Sequence, residues 1–233
     1  MAADSFKTPI DIVARLSRRP LSLGERLAEI ASEARQRDPE GSAVVDRFVS
    51  RLTQARSGDD APQIGERLPP FMMPDHEGKL ISSEQLLTRG PLVLVFHRGH
   101  WCPYCRMTIA TLAEAQHRIG PAKIVAISAE TQRFTRRIRS ETGANFTFLS
   151  DIDADYASAI GLAITVDPAL IALYERAGKR IPDFQGSKGW VLPIPAVFVL
   201  DRHGMIHARH IDPDYRRRME VEELLRAAKG LGG

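Results

Sequence analysis

An apolar run at residues 91–96 is followed closely by the only two cysteines in the 233-residue chain, Cys102 and Cys105. A short, unbroken apolar run of this kind predicts a buried β-strand. Pro103 suits the first position of a helix, where its missing N–H costs no hydrogen bond, so we predict that a helix begins at Cys102. The two sulfurs then share one turn of chain, where a buried strand passes into a helix.

Thiol redox chemistry is the leading interpretation of this motif. The first N–H groups of a helix have no partner inside the helix, and together with the helix dipole they favour a thiolate over a thiol. In Cys-x-x-Cys motifs the pKa falls from about 8.5 to roughly 3.5–7.5. Because Cys102 lies nearer the helix N-terminus than Cys105, we predict that Cys102 attacks and that Cys105 resolves.

The composition argues against several classes of protein. Hydrophobic residues make up 43% of the chain and charged residues 26%, which is typical of a soluble globular protein. Two cysteines that lie only three positions apart cannot form the disulfide framework of a secreted protein, so a cytoplasmic location is predicted. The net charge is only +3, and the arginines at 133–139 and 216–218 are not interleaved with stacking aromatics, so we interpret them as solvated helix faces. We expect no nucleic acid, no membrane span, no signal peptide and no cofactor.

The N-terminal quarter differs from the rest of the chain. Two amphipathic helices are predicted within residues 23–55, and the turn-rich residues 57–62 follow them. We therefore predict a helical extension at 1–60 and a main domain at 61–233. The apolar stripes of the two helices need a cover. A homodimer interface is our expectation, and cover by the main domain is the open alternative.

Strands and helices alternate in the main domain. The predicted strands lie at residues 91–97, 123–127 and 146–149, with helices after the first two, which indicates a βαβ unit. A β-hairpin at 196–210 and a packing helix are predicted at the end of the chain. Within residues 161–192 only a helix at 169–180 is assigned.

Three sequence blocks resemble one known family. They are IGERLPPFMMPDHEGKLIS at 64–82, GPLVLVFHRGHWCPYC at 90–105 and PIPAVFVLDRHGMI at 193–206. In this order they are similar to the AhpC/TSA peroxiredoxin family, in the branch with an RGxWCPYC site, over about residues 63–230. The resemblance implies a thioredoxin-like α/β fold, in which helices flank a central mixed sheet. It also implies reduction of hydrogen peroxide or alkyl hydroperoxides, with thioredoxin or a similar thiol donor as partner.

The resemblance leaves two assignments for the attacking sulfur. Alignment with the peroxiredoxin strand places Arg98 at the family's proline, Cys102 at its threonine and Cys105 at its attacking cysteine. Thioredoxins and glutaredoxins attack with the first cysteine instead, which here is Cys102. By the same resemblance, Trp101 would shield the sulfur, and Pro195 would lie against it with a cis peptide bond. Arg98 would lower the pKa of the attacking thiol or polarise the peroxide; the alternative is that Arg98 is simply a surface residue at the end of the strand.

Other functions stay open on sequence grounds. The same thiol pair could exchange disulfides as a thioredoxin-type or glutaredoxin-type oxidoreductase, or act as the redox switch of a non-enzymatic binding module. His97 and His100 lie near the cysteines, so a Cys/His metal site is geometrically conceivable. A second Cys-x-x-Cys is absent from the sequence, and we therefore predict redox chemistry without a metal.

Overall fold

We analysed a computed structural model, in which residues 9–231 are described. Residues 1–8 of the predicted extension lie outside this range. The helices are α1 Pro9–Ser17, α2 Leu23–Arg37, α3 Pro39–Gln54, α4 Ser83–Leu87, α5 Pro103–Ala115, α6 Gln132–Thr142, α7 Asp155–Ala159, α8 Pro168–Arg176, α9 Ile181–Gln185 and α10 Val221–Lys229. The strands are β1 Met72–Pro74, β2 Leu80–Ser82, β3 Leu92–Phe96, β4 Lys123–Ser128, β5 Thr147–Ser150, β6 Ala163–Thr165, β7 Val191–Pro193, β8 Ala196–Leu200 and β9 Ile206–Ile211.

A five-stranded mixed sheet forms the centre of the molecule, in the order β5-β4-β3-β8-β9. Strand β3 runs parallel to β4 and antiparallel to β8, and β9 closes the sheet as the partner of β8. All five residues of both β3 and β8 are buried, which explains their unbroken apolar sequences. The predicted thioredoxin-like α/β fold is confirmed, and the central position of β3 places its C-terminal end deep in the protein.

The first three helices pack on the rest of the chain. Helix α2 begins with a capping box, in which the Ser22 hydroxyl accepts from the Glu25 N–H and the Glu25 carboxylate accepts from the Ser22 N–H. Helix α2 packs on α5, and α3 packs on α8. Leu27, Ile30 and Phe48 on the apolar stripes are buried within the single chain. The structure thus supports the alternative of cover by the main domain, and these stripes give no reason for a homodimer, which stays a prediction.

Two features differ from the sequence-based predictions. Within residues 9–231 every peptide bond is trans, so the predicted cis bond before Pro195 is wrong. Pro195 directly precedes β8, a position that tolerates its missing N–H, and the bond before it is in the trans form that most X–Pro bonds adopt. The segment 161–192, largely unassigned from sequence, forms a two-stranded β6–β7 sheet with α8 and α9 between its strands. None of the described helices is long and apolar enough to span a bilayer.

Candidate active site

The loop from His97 to Trp101 connects β3 to α5 and places both cysteines. Cys102 is the N-cap residue of α5 in an extended conformation, and Pro103 is its first helical residue, as the sequence predicts. Cys102 is 1% exposed, and Cys105, one turn further along, is fully buried. Both are free thiols. The two sulfurs therefore lie at the start of a helix, away from bulk solvent.

The turn before the cysteines depends on Gly99. Its φ of +140° is a backbone conformation that side chains disfavour. A Cβ at this position would lie 2.6 Å from Glu130 Oε1 and 2.5 Å from Trp101 Nε1. The buried Glu130 carboxylate accepts from the His100 N–H at 2.8 Å and lies 2.6 Å from His100 Nδ1. Glu130, at the end of β4, thus holds the turn in one shape.

Two hydrogen-bond donors reach Cys105 and favour its thiolate, but burial and the neighbouring Cys102 have the larger effect on its pKa. The Arg98 N–H points at Cys105 Sγ from 3.4 Å, and the Arg218 guanidinium lies 3.8 Å from the same sulfur. Burial is the largest effect on its pKa, followed by the hydrogen bond to Cys102 and the negative charge that Cys102 can carry. Together these raise the pKa of Cys105 well above the ordinary value for a cysteine.

Cys102 has the opposite shift. Burial alone would raise its pKa, but the hydrogen bond from Cys105 and the positive charge of Arg98 outweigh that effect and lower the pKa of Cys102 to about 6. Cys102 is therefore the more acidic of the two sulfurs, and Cys105 is its hydrogen-bond donor. This difference favours Cys102 as the attacking sulfur, because the thiolate is the nucleophilic form.

The Arg98 side chain is enclosed by aromatic rings. Its Cζ atom lies 3.8 Å from the centroid of Tyr215, 5.0 Å from that of Trp101 and 5.7 Å from that of Tyr174. It also donates a hydrogen bond to the Tyr174 hydroxyl. Arg98 is 1% exposed, so the sequence-based alternative of a surface residue at the strand end is wrong. The rings fix a positive charge beside Cys102 at low solvent screening.

The two histidines of the loop are used differently. His100 stacks on Phe134, with ring centroids 4.6 Å apart, in addition to its contact with Glu130. His97 is buried, and burial followed by the charges of Arg218 and His100 lowers its pKa to about 3, so it is neutral. Among residues 9–231 no group of three or more His, Cys, Asp and Glu side chains is placed to hold a metal ion.

A cavity of about 350 Å³ opens over Cys102. Its base, which we call the thiol floor, consists of Arg98, Trp101, Cys102 and Tyr104. Side chains of α2 and α3 form one side, and we call this side the α2–α3 wall; its apolar members are Ile30, Ala31, Ala34 and Val45, and its charged members on α2 are Glu33, Arg35 and Arg37. Leu173 and Tyr174 of α8 and its C-cap residue Ala177 also line the cavity. The cavity therefore combines a charged, aromatic base with largely apolar sides.

The structure gathers most of the residues that the sequence singled out. Cys102, Cys105, Arg98 and Trp101 form one cluster. Pro195 precedes Ala196, which pairs with Phe96 at the end of β3, so the proline backbone lies beside the start of the active loop.

Sequence reasoning missed four further residues of the site. They are Glu130, Tyr174, Tyr215 and Arg218. The 216–218 cluster was interpreted as a solvated helix face, but it lies in the loop between β9 and α10. Tyr174 and Glu130 gave no local signal, because only tertiary packing brings them to the cysteines.

Comparisons with known proteins identify the family to which the chain belongs. The model of the AhpC/TSA family matches residues 64–209. No curated protein matches the chain. The α2–α3 wall lies before the first matched residue.

Solved structures with a similar fold include three bacterial proteins. Peroxidoxin BcpB from Mycobacterium tuberculosis shares 18% identity at a TM-score of 0.57, over 72% of this chain and 97% of that one. A peroxiredoxin-like protein from Aquifex aeolicus shares 14% identity at a TM-score of 0.58, over 73% of this chain and 88% of that one. AhpC from Mycobacterium tuberculosis shares 16% identity at a TM-score of 0.54, over 73% of this chain and 93% of that one. At these identities the likeness concerns the fold.

Proposed function

This chain belongs to the AhpC/TSA family of thiol peroxidases, and from that premise we propose that its redox centre is the Cys102/Cys105 pair and that its substrate is a hydroperoxide. The observation that carries the proposal is the placement of both sulfurs in the first turn of α5, with the enclosed Arg98 guanidinium beside Cys102; the opposite directions of their pKa shifts support it. A lowered pKa supplies a nucleophile at neutral pH, and a raised pKa keeps the second sulfur protonated until it is needed.

In the first step the Cys102 thiolate attacks the terminal oxygen of ROOH. The S–O bond forms as the O–O bond breaks, Cys102 is oxidised to a sulfenic acid, and the alkoxide RO⁻ takes a proton to leave as ROH. Arg98 supplies positive charge next to the reacting sulfur. That charge supports the thiolate before attack and the negative charge that develops on the leaving oxygen.

In the second step the Cys105 thiol attacks the sulfenic sulfur. A disulfide forms between Cys102 and Cys105, and the hydroxyl leaves as water with the thiol proton. Two electrons and two protons from an external dithiol then restore both thiols. Thioredoxin or a similar donor is our proposal for that dithiol.

A hydroperoxide suits the site better than a protein disulfide. Cys102 is almost fully buried beneath the α2–α3 wall, and the cavity above it has the volume of a small-molecule site. Disulfide exchange by the same thiols is therefore the second candidate.

Rapid mixing of the reduced protein with stoichiometric hydroperoxide tests the proposal. We expect loss of the Cys102 thiol far faster than from a free thiolate at the same pH, followed by disulfide formation. The Cys102→Ser variant should lose the fast phase entirely. The Cys105→Ser variant should keep the attack but stop at the sulfenic acid, detected by dimedone labelling. A wild-type rate no higher than that of free cysteine would refute the peroxidase proposal.

Two further proposals concern the setting of the protein. The two cysteines lie in a single Cys-x-x-Cys and cannot form the disulfide framework of a secreted protein, which supports a cytoplasmic location. Cell fractionation with an antibody against the chain checks it. The homodimer also stays a proposal, which sedimentation of the purified protein tests.

A further inference from the structure

We propose that the α2–α3 wall determines which hydroperoxides this protein reduces, and that the cavity accepts apolar organic hydroperoxides in preference to hydrogen peroxide. The inference rests on the proposed function for its chemistry. It goes beyond that function because it assigns specificity to helices that precede the part of the chain matched by the family model.

The wall contributes directly to the space above the reacting sulfur. Ile30 on α2 and Val45 on α3 line the same cavity as Cys102. Leu173 on α8 lines it as well, so aliphatic side chains from three helices meet around one space. The exposed residues Ala34 and Arg35 belong to the same lining. The cavity therefore connects the buried sulfur with the surface at the C-terminal end of α2.

The size of the cavity exceeds the need of hydrogen peroxide. A water molecule takes about 30 Å³ in the liquid, so a space of 350 Å³ has room for roughly ten molecules of that size. Hydrogen peroxide would leave most of the aliphatic surface in contact with water. A hydroperoxide with a compact apolar group covers that surface when its O–O bond reaches Cys102, and burial of apolar surface favours binding.

The wall is fixed in place by buried and half-buried contacts. The Arg26 guanidinium on α2 donates to Thr111 Oγ1 at 3.0 Å and to Glu114 Oε2 at 2.9 Å, both on α5. Asp46 on α3 accepts from Arg216, in the loop after β9, at 2.6 Å. The wall therefore presents a formed surface to the substrate, so a change in its side chains should change specificity without changing the sulfur.

A bulky side chain on the α2–α3 wall should narrow the cavity without touching the reacting sulfur, so such a variant separates substrate specificity from chemistry. We expect wild-type kcat/KM for cumene hydroperoxide to exceed that for hydrogen peroxide about tenfold or more. Val45→Trp should lower kcat/KM for cumene hydroperoxide at least about tenfold and change the value for hydrogen peroxide less than about threefold. Val44→Trp is the matched control, because Val44 is the neighbouring residue on α3 and lies outside the cavity lining. Val44→Trp should leave the ratio of kcat/KM for cumene hydroperoxide to kcat/KM for hydrogen peroxide unchanged.

A binding measurement keeps this test separate from the proposed peroxidase activity. Cumyl alcohol, the product of cumene hydroperoxide, should bind the reduced wild-type protein, quench or shift Trp101 fluorescence and slow alkylation of Cys102. Val45→Trp should weaken that binding at least about tenfold. Equal losses for both hydroperoxides, unchanged selectivity, or equal binding of cumyl alcohol by both variants would each overturn the role of the wall. Absence of peroxidase activity with normal alcohol binding would overturn the proposed function alone.

Discussion

The thiol floor and the α2–α3 wall enclose one cavity but are built differently. The floor combines a guanidinium, aromatic rings and a thiol whose pKa is lowered, all nearly excluded from solvent. The wall presents aliphatic side chains from two helices, several of them half-buried or exposed. Charges act strongly where water is excluded, whereas apolar surfaces act through shape and area. The floor is therefore suited to chemistry and the wall to selection.

The two parts also depend on different contacts. Arg98 reaches its position through rings on α8 and on the loop after β9, so the floor is assembled from distant parts of the sequence. The wall is joined to α5 and to the same loop by a few arginine and carboxylate side chains. Changes in the floor should alter the reactivity of Cys102, while changes in the wall should alter stability or selectivity and leave that reactivity intact.

Replacement of Arg98 gives the largest expected effect. In the Arg98→Met variant the positive charge beside Cys102 is lost, so the pKa of Cys102 should rise and the peroxide rate at neutral pH should fall about 10²-fold. In the wild type, alkylation of Cys102 by iodoacetamide should increase through pH 6 and level off above it, because the thiolate reacts. The midpoint should move to higher pH in the variant.

Arg98→Lys provides the matched control, since it keeps the charge but loses the planar guanidinium that stacks between the rings. Its alkylation midpoint should lie between those of the wild type and Arg98→Met. A midpoint near pH 6 in all three proteins would show that Arg98 does not set the pKa of Cys102, and the contrast between floor and wall would lose its electrostatic basis.

Gly99→Ala probes the shape of the floor. The positive φ and the close approach of Glu130 and Trp101 leave no space for a Cβ. We expect a loss of about 2–4 kcal/mol in the free energy of unfolding, measured in urea, because strain and overpacking add. Gly143→Ala, at the exposed end of α6 with φ +68° and open space around it, is the control and should cost about 1 kcal/mol. Equal losses would contradict a special role for the turn.

The local parts of the site were predictable from the sequence. Strand β3, the start of α5 and Pro103 at its first turn depend on neighbouring residues, and the family resemblance rests on the same blocks. The resemblance is confirmed by the match over residues 64–209, and the predicted fold class is confirmed as well. The low pKa expected for Cys102 follows from a helix start, although in the structure the hydrogen bond from Cys105 and the charge of Arg98 lower that pKa against the opposing effect of burial.

The parts of the site that depend on residues distant in the sequence could not be predicted from the sequence. Tyr174 and Tyr215 lie about 70 and 110 positions after Cys102, and only the packing of α8 and of the loop after β9 brings them to Arg98. Periodicity shows that a helix has an apolar face but does not show what covers it, so the dimer and the intramolecular cover were equally open. The conformation of the bond before Pro195 likewise depends on its neighbours in the fold.

Arg26→Met tests how firmly the wall is held. The buried guanidinium donates to Thr111 and Glu114, so its loss should lower the free energy of unfolding by about 1–3 kcal/mol. Arg19→Met is the control, because Arg19 pairs with Glu29 at 3.3 Å on the exposed surface and should contribute at most about 1 kcal/mol. The alkylation midpoint of Cys102 should stay near pH 6 in both variants. A shifted alkylation midpoint in Arg26→Met would show that a change in the wall alters the pKa of Cys102, so the wall and the floor would not act independently.

The smallest effect is expected at the rim of the wall, in Asp46→Asn. The Asp46 carboxylate pairs with Arg35 at 2.9 Å and with Arg216 at 2.6 Å, and the hydrogen bond from Arg216 is the main reason that its pKa is lowered. Because the folded pKa is below the unfolded one, the stabilisation is present above about pH 4 and is lost as the pH falls through the folded value. These pairs are partly exposed, so the variant should lose less than about 1 kcal/mol at pH 7, and added salt should reduce the difference. A loss as large as that of Arg26→Met, measured in the same urea titrations, would show that the wall depends on its rim rather than on its buried contact with α5.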